Sequence, residues 1–182
     1  MSATGVTVTP QRFQFVHFDA ELIQRVAESL VAALGLDRPV VIEVDETTPL
    51  ARIDVTIDDA VTIRVESGAF EDTRRPRHQS EQATAASLGR VLLRARDRLL
   101  GGFGEAPADD RLTLAQTAAW NAYCAGRLAR LGVHVAPQRW QYDFRNRHGF
   151  HDLADVAFER LWASDGLTWG ELDEISRTAQ HP

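Results

Sequence analysis

Residues 52–66 read RIDVTIDDAVTIRVE, and this stretch constrains the fold more than any other. Ile53, Val55 and Ile57 alternate with Arg52, Asp54 and Thr56. After Asp58-Asp59-Ala60 the alternation resumes, with Val61, Ile63 and Val65 on one side. A period of two puts alternate side chains on opposite faces of a pleated strand. Two such runs around a short acidic turn predict an antiparallel hairpin, six apolar side chains toward a core and one wet face. A slip of one residue would expose all six.

The rest of the chain is punctuated more by helix signals than by strand signals. Asp19 is placed to cap a helix to about Leu34, which Gly35 ends. PVVIEV follows as a strand. Residues 1–18 read as a tail or an edge strand. Residues 67–79, SGAFEDTRRPRHQ, have no period and contain Gly and Pro, so they read as a loop. Ser80 opens a long helix to about Leu100, with Ala85, Leu88, Leu92, Ala95 and Leu99 as its apolar stripe. GGFGEAPADD, 101–110, breaks the pattern and marks a possible sub-boundary at 101–111. A helix over about 113–131 follows, closed by Gly132. RWQYDF reads as a short strand or extended segment. Two helices, near 150–163 and 168–178, end the chain; Thr168 and Glu171 have capping-box spacing. The expected fold class is α+β: an N-terminal helix, a small antiparallel β-sheet (meander), then four mostly packed helices, in a single domain over 19–182.

The order of helix, meander and long helix is similar to that of zincin-like metallopeptidases, at the level of fold alone. Those enzymes carry two histidines and a glutamate on the long helix. Here that helix, SEQATAASLGRVLLRARDRLL, contains no histidine, so the resemblance implies no zinc site and assigns no family.

Composition excludes several chemistries. The chain has no lysine; all 20 basic residues are arginine, a usage expected of a high-GC bacterium. Schiff-base, P-loop and general-base lysines are therefore absent. A fixed cation offered to a ligand must be a guanidinium, which suits carboxylate or phosphate. The net charge of −6 gives no global attraction to nucleic acid or to an anionic membrane. Cys124 is the single cysteine, which leaves no internal disulfide and no cysteine-rich zinc cluster. The start of the chain lacks a basic region followed by an apolar run, and the longest apolar stretch, LVAALGL, is too short to span a bilayer. The expected protein is soluble and cytoplasmic, without a cofactor.

Two segments carry the candidate sites. Arg74, Arg75, Arg77 and His78 precede a helix start, where free backbone N–H groups and the helix dipole favour an anion. They are the expected ligand-binding residues, for a small anionic molecule or a partner protein. The other segment is FRNRHGFHDLADVAFERLW, 144–162. Placed on one helix from 148, His148, Asp152, Asp155 and Glu159 share an arc, with His151 beside it. That arc reads as the wet face of an amphipathic helix, with no metal expected. The alternative is a small enzyme: His78 or His148 as acid–base group, Asp152 or Asp155 as orienter, and arginines holding an anionic substrate.

Overall fold

In the computed structural model, which describes residues 5–180, the elements run β1 (Val6–Thr9), α1 (Ala20–Leu34), β2 (Val40–Asp45), β3 (Ile53–Ile57), β4 (Val61–Glu66), β5 (Glu71–Asp72), β6 (Arg75–Gln79), α2 (Glu81–Leu100), α3 (Leu114–Arg130), α4 (Pro137–His148), α5 (Asp152–Ala163) and α6 (Trp169–Ala179). Contacts divide the chain into two units, Met1–Ala95 and Arg96–Pro182. None of the described helices is long and apolar enough to cross a membrane.

In the first unit the hairpin forms as the alternation requires. β3 and β4 pair antiparallel, with Ile53 opposite Val65, Val55 opposite Ile63 and Ile57 opposite Val61. Val61, Ile63 and Val65 are buried; Ile53, Val55 and Ile57 are half-buried, because β3 is an edge strand. The sheet is not a meander. Its order is β1-β2-β4-β3, and β2 pairs in parallel with both β1 and β4. Alternation reports which way side chains face but not which strand lies alongside, so the parallel neighbours were invisible in the sequence. Helix α1 is as expected: the Asp19 side chain accepts from the Glu21 N–H, and Gly35 ends the helix in the left-handed region, at φ 64°.

Residues 67–79 are also a correction. A 3-10 turn over Ser67–Ala69 leads into the β5–β6 hairpin. Glu71 pairs with Gln79 but Asp72 pairs with Arg75, so Pro76, Arg77 and His78 bulge out of β6. A two-residue strand facing a bulged one has no legible period.

The second unit is helical, and α3 packs against α4, α5 and α6. Both α3 and α6 begin with capping boxes, Thr113 with Gln116 and Thr168 with Glu171. RWQYDF lies inside α4, not in a strand. Pro137 in its first turn starts that helix, and Phe144 and His148, four apart, are its buried positions. Residues 148–163 are not one helix: Gly149, at φ 112°, separates α4 from α5. Added bulk at Gly149 would lie 2.6 Å from the His151 ring.

Candidate functional site

The arginine-rich stretch is built on the β5–β6 hairpin. Its acidic neighbours hold backbone N–H groups and a serine hydroxyl, not the arginine side chains. Asp72 accepts from the Arg74 N–H at 2.8 Å, and Glu71 accepts from the Arg77 N–H at 3.2 Å and from the Ser67 hydroxyl at 3.3 Å. Arg74 and Arg75 are exposed. Among the described residues, the guanidinium groups of Arg74, Arg75 and Arg77 enter no ion pair. The helix start contributes less than its position suggests. The Ser80 hydroxyl already accepts the Ala83 N–H at 3.1 Å, and Glu81 adds a carboxylate to the first turn.

Arg77 has an unusual backbone. Its φ is 67°, the one positive value outside glycine among the described residues. The Arg77 carbonyl accepts the His17 N–H at 2.7 Å, which ties the segment before α1 to the bulge. Alongside, the His17 and His78 rings stack with centroids 4.6 Å apart and planes at 21°. Asp19 donates its N–H to Gln79 at 2.9 Å.

Beside these ties, Arg77 lines a hollow of about 240 Å³ together with Phe15, Glu46 and Thr47. Glu46 and Thr47 follow the carboxyl end of β2. One Glu46 oxygen, Oε2, accepts the N–H groups of Gln14 at 2.8 Å and Phe15 at 2.7 Å. Thr47 donates its hydroxyl to Asp45 at 2.6 Å, and this bond with the Thr47 N–H holds the Asp45 carboxyl below its ordinary range. Arg77 Nη1 is buried and meets no acceptor. Phe15 is 62% exposed, at the mouth. Phe15, His17, Glu46 and Thr47 were not legible as site residues, since no spacing rule links positions 15, 46 and 77.

A larger groove, about 380 Å³, lies on the outer face of the sheet between Glu43, Asp45, Arg52, Asp54, Arg64 and Glu66. Its charges answer one another: Arg64 reaches Glu43 at 3.1 Å and Arg52 reaches Glu66 at 3.8 Å.

In the second unit, the histidine–aspartate stretch is knitted together. His148 is buried, its ring stacked on Phe144 at 3.8 Å. Nδ1 donates to the Phe144 carbonyl at 3.0 Å, which leaves Nε2 of the neutral ring to accept the Ser176 hydroxyl at 2.8 Å. Burial pushes this imidazole below its ordinary value; the Phe144 carbonyl opposes that and His151 adds to it. His151 caps α5: Nδ1 accepts the Ala154 N–H at 3.3 Å, and Nε2 donates to the His148 carbonyl at 3.1 Å. Both nitrogens of both rings are therefore engaged. Asp155 receives two bonds of 2.7 Å from Arg145, which hold its carboxyl below the usual range. Asp152 is exposed in the first turn of α5. Arg74, Arg75, Arg77 and His78 belong to the first unit, and His148, Asp152 and Asp155 to the second. Among the described residues, no group of three or more His, Cys, Asp or Glu side chains is arranged to hold a metal ion.

No family profile matches this chain, and it finds no similar protein among curated sequences or solved structures.

Proposed function

We propose that this is a cytoplasmic binding or accessory protein that recognises anionic groups, on a small molecule or on a partner protein, through the β5–β6 hairpin. The observation that carries the reading is the division of labour there. Glu71 and Asp72 bind backbone N–H groups, while the guanidinium groups of Arg74, Arg75 and Arg77 enter no ion pair among the described residues. An arginine fork without a carboxylate partner is preorganised for carboxylate or phosphate.

The magnitudes suit a modest receptor. Each charge-assisted hydrogen bond contributes roughly 1.5–3 kcal/mol at most, and micromolar binding needs about 8 kcal/mol. Exposure makes the interaction sensitive to salt. The enzymatic alternative draws less support, because both ring nitrogens of His148 already have partners within its own unit and Asp155 is held by Arg145.

The test is calorimetric titration with inorganic phosphate, a tricarboxylate and an acidic peptide at low and high salt, on wild type and on Arg74→Ala/Arg75→Ala. Binding that weakens with salt and falls at least tenfold in the double variant is the expected result. Equal binding by both proteins for every ligand overturns the reading.

A further inference from the structure

From the hollow beside the bulge we infer a receptor for a small zwitterion, an α-amino acid in which carboxylate and ammonium sit on neighbouring atoms. This deepens the reading above by naming a ligand class for Arg77, and it rests on that reading only in treating the hairpin as a binding element.

The argument begins with what the fold tolerates. A non-glycine residue in the left-handed region is held there against its own preference. Such outliers persist where surrounding bonds over-determine them, and they concentrate at ligand sites. Glu71 holds the Arg77 N–H and His17 holds its carbonyl. Arg77 lines the hollow, and its guanidinium enters no ion pair among the described residues. A guanidinium without a carboxylate partner suits a carboxylate arriving in the hollow.

The opposite wall makes the ligand more than an anion. Glu46 carries a negative charge into the same space, and its two bonds to the Gln14 and Phe15 N–H groups fix it in place through Oε2. Glu46 and Arg77 line one hollow without forming an ion pair with each other. Oppositely charged groups held apart are complementary to a molecule that carries both charges in reverse. The ligand carboxylate meets the Arg77 guanidinium, and its ammonium meets the Glu46 carboxylate. Thr47 Oγ1, whose proton goes to Asp45, is left as a further acceptor for the ammonium. A phosphate or simple carboxylate meets Glu46 as a like charge, and a simple amine meets Arg77 the same way. At about 240 Å³ the hollow is smaller than the roughly 300–1,000 Å³ of drug-sized sites, which suits an amino acid. The Phe15 ring at the mouth gives an apolar side chain a surface to cover.

The test separates the two charges. Free L-leucine and L-phenylalanine, their N-acetyl derivatives and their amides are titrated by calorimetry into wild type, Glu46→Gln and Arg77→Asn; asparagine tolerates the left-handed region. Free amino acids should bind at least tenfold more tightly than either blocked form. Glu46→Gln should lose the preference over the N-acetyl form, and Arg77→Asn the preference over the amide. If N-acetyl amino acids or phosphate bind wild type as tightly as free amino acids do, the inference is overturned. It also fails if no free amino acid binds at millimolar concentration; anion binding that depends on Arg74 and Arg75 then leaves the broader reading standing. Should Glu46→Gln disturb the fold, the analogue series on wild type decides alone.

Discussion

Arg127, in the helical unit, and Arg77, in the α/β unit, are the same residue put to opposite uses. Arg127 is 6% exposed and fully engaged. It gives two bonds of 2.7 Å to the two oxygens of Asp97 and one of 3.3 Å to the Tyr123 carbonyl, and its guanidinium carbon lies 3.6 Å from the Tyr123 ring centre. Asp97 accepts one more bond, from the Trp120 indole at 2.8 Å. Burial works against the Arg127 charge, but hydrogen bonding to Asp97 and the other nearby groups outweigh it, so the guanidinium is held protonated more firmly than usual. Arg77 keeps a buried donor with no acceptor, on a backbone that disfavours it. A guanidinium satisfied from within is part of the core. One left unsatisfied beside a hollow has capacity for something from outside.

Breaking the satisfied pair should have the largest effect. Asp97→Ala leaves Arg127 buried and unpaired, a change that typically costs about 3–5 kcal/mol. Urea unfolding followed by tryptophan fluorescence suits the measurement, since all four tryptophans lie in the helical unit. Asp97→Leu with Arg127→Met should lose less than Asp97→Ala, because no orphan charge remains. An equal loss would mean that the pair contributes only packing.

Next in size is Gly126→Ala. A methyl group there would sit 2.0 Å from the Trp162 carbonyl oxygen, so α3 and α5 must move apart. Overpacking of this kind costs about 1–3 kcal/mol, and a backbone obstacle favours the upper end. An unchanged unfolding midpoint would show that the helices can separate freely.

The third prediction concerns pH. His148 titrates below its ordinary value of 6.5 in the folded protein, chiefly through burial. The unfolded chain therefore takes up the proton more readily. Stability should be full above pH 6.5 and decline as pH falls below it, levelling once the folded value is passed. Unfolding midpoints in a pH series should show the decline, and His148→Gln should flatten it. A flat wild-type profile through that window would contradict the placement of the ring between Phe144 and Ser176.

Smaller effects belong to the charges near water. Arg145→Ala removes the paired bonds to Asp155, and the loss should shrink in high salt because both groups are about a third exposed. Arg75→Ala should leave stability within about 0.5 kcal/mol of wild type, as expected for a surface change. If Arg75→Ala destabilises as Asp97→Ala does, the contrast between the two units collapses.

The β3–β4 hairpin, α1 with its Asp19 cap and Gly35 stop, the extent of α2 and the Thr168–Glu171 capping box can all be read along the chain. Each is local: a period of two or of about 3.6, a cap or a glycine acts on residues a few positions away. Features that need distant partners arise only when the chain packs on itself. Packing sets β2 alongside β4, folds RWQYDF into a helix on the buried sides of Phe144 and His148, and brings Arg127 onto both oxygens of Asp97, thirty residues away. It also brings Phe15, Glu46 and Arg77 around one hollow. Such a site follows from how three segments close on one another, and contact across long loops leaves no period along the chain to read.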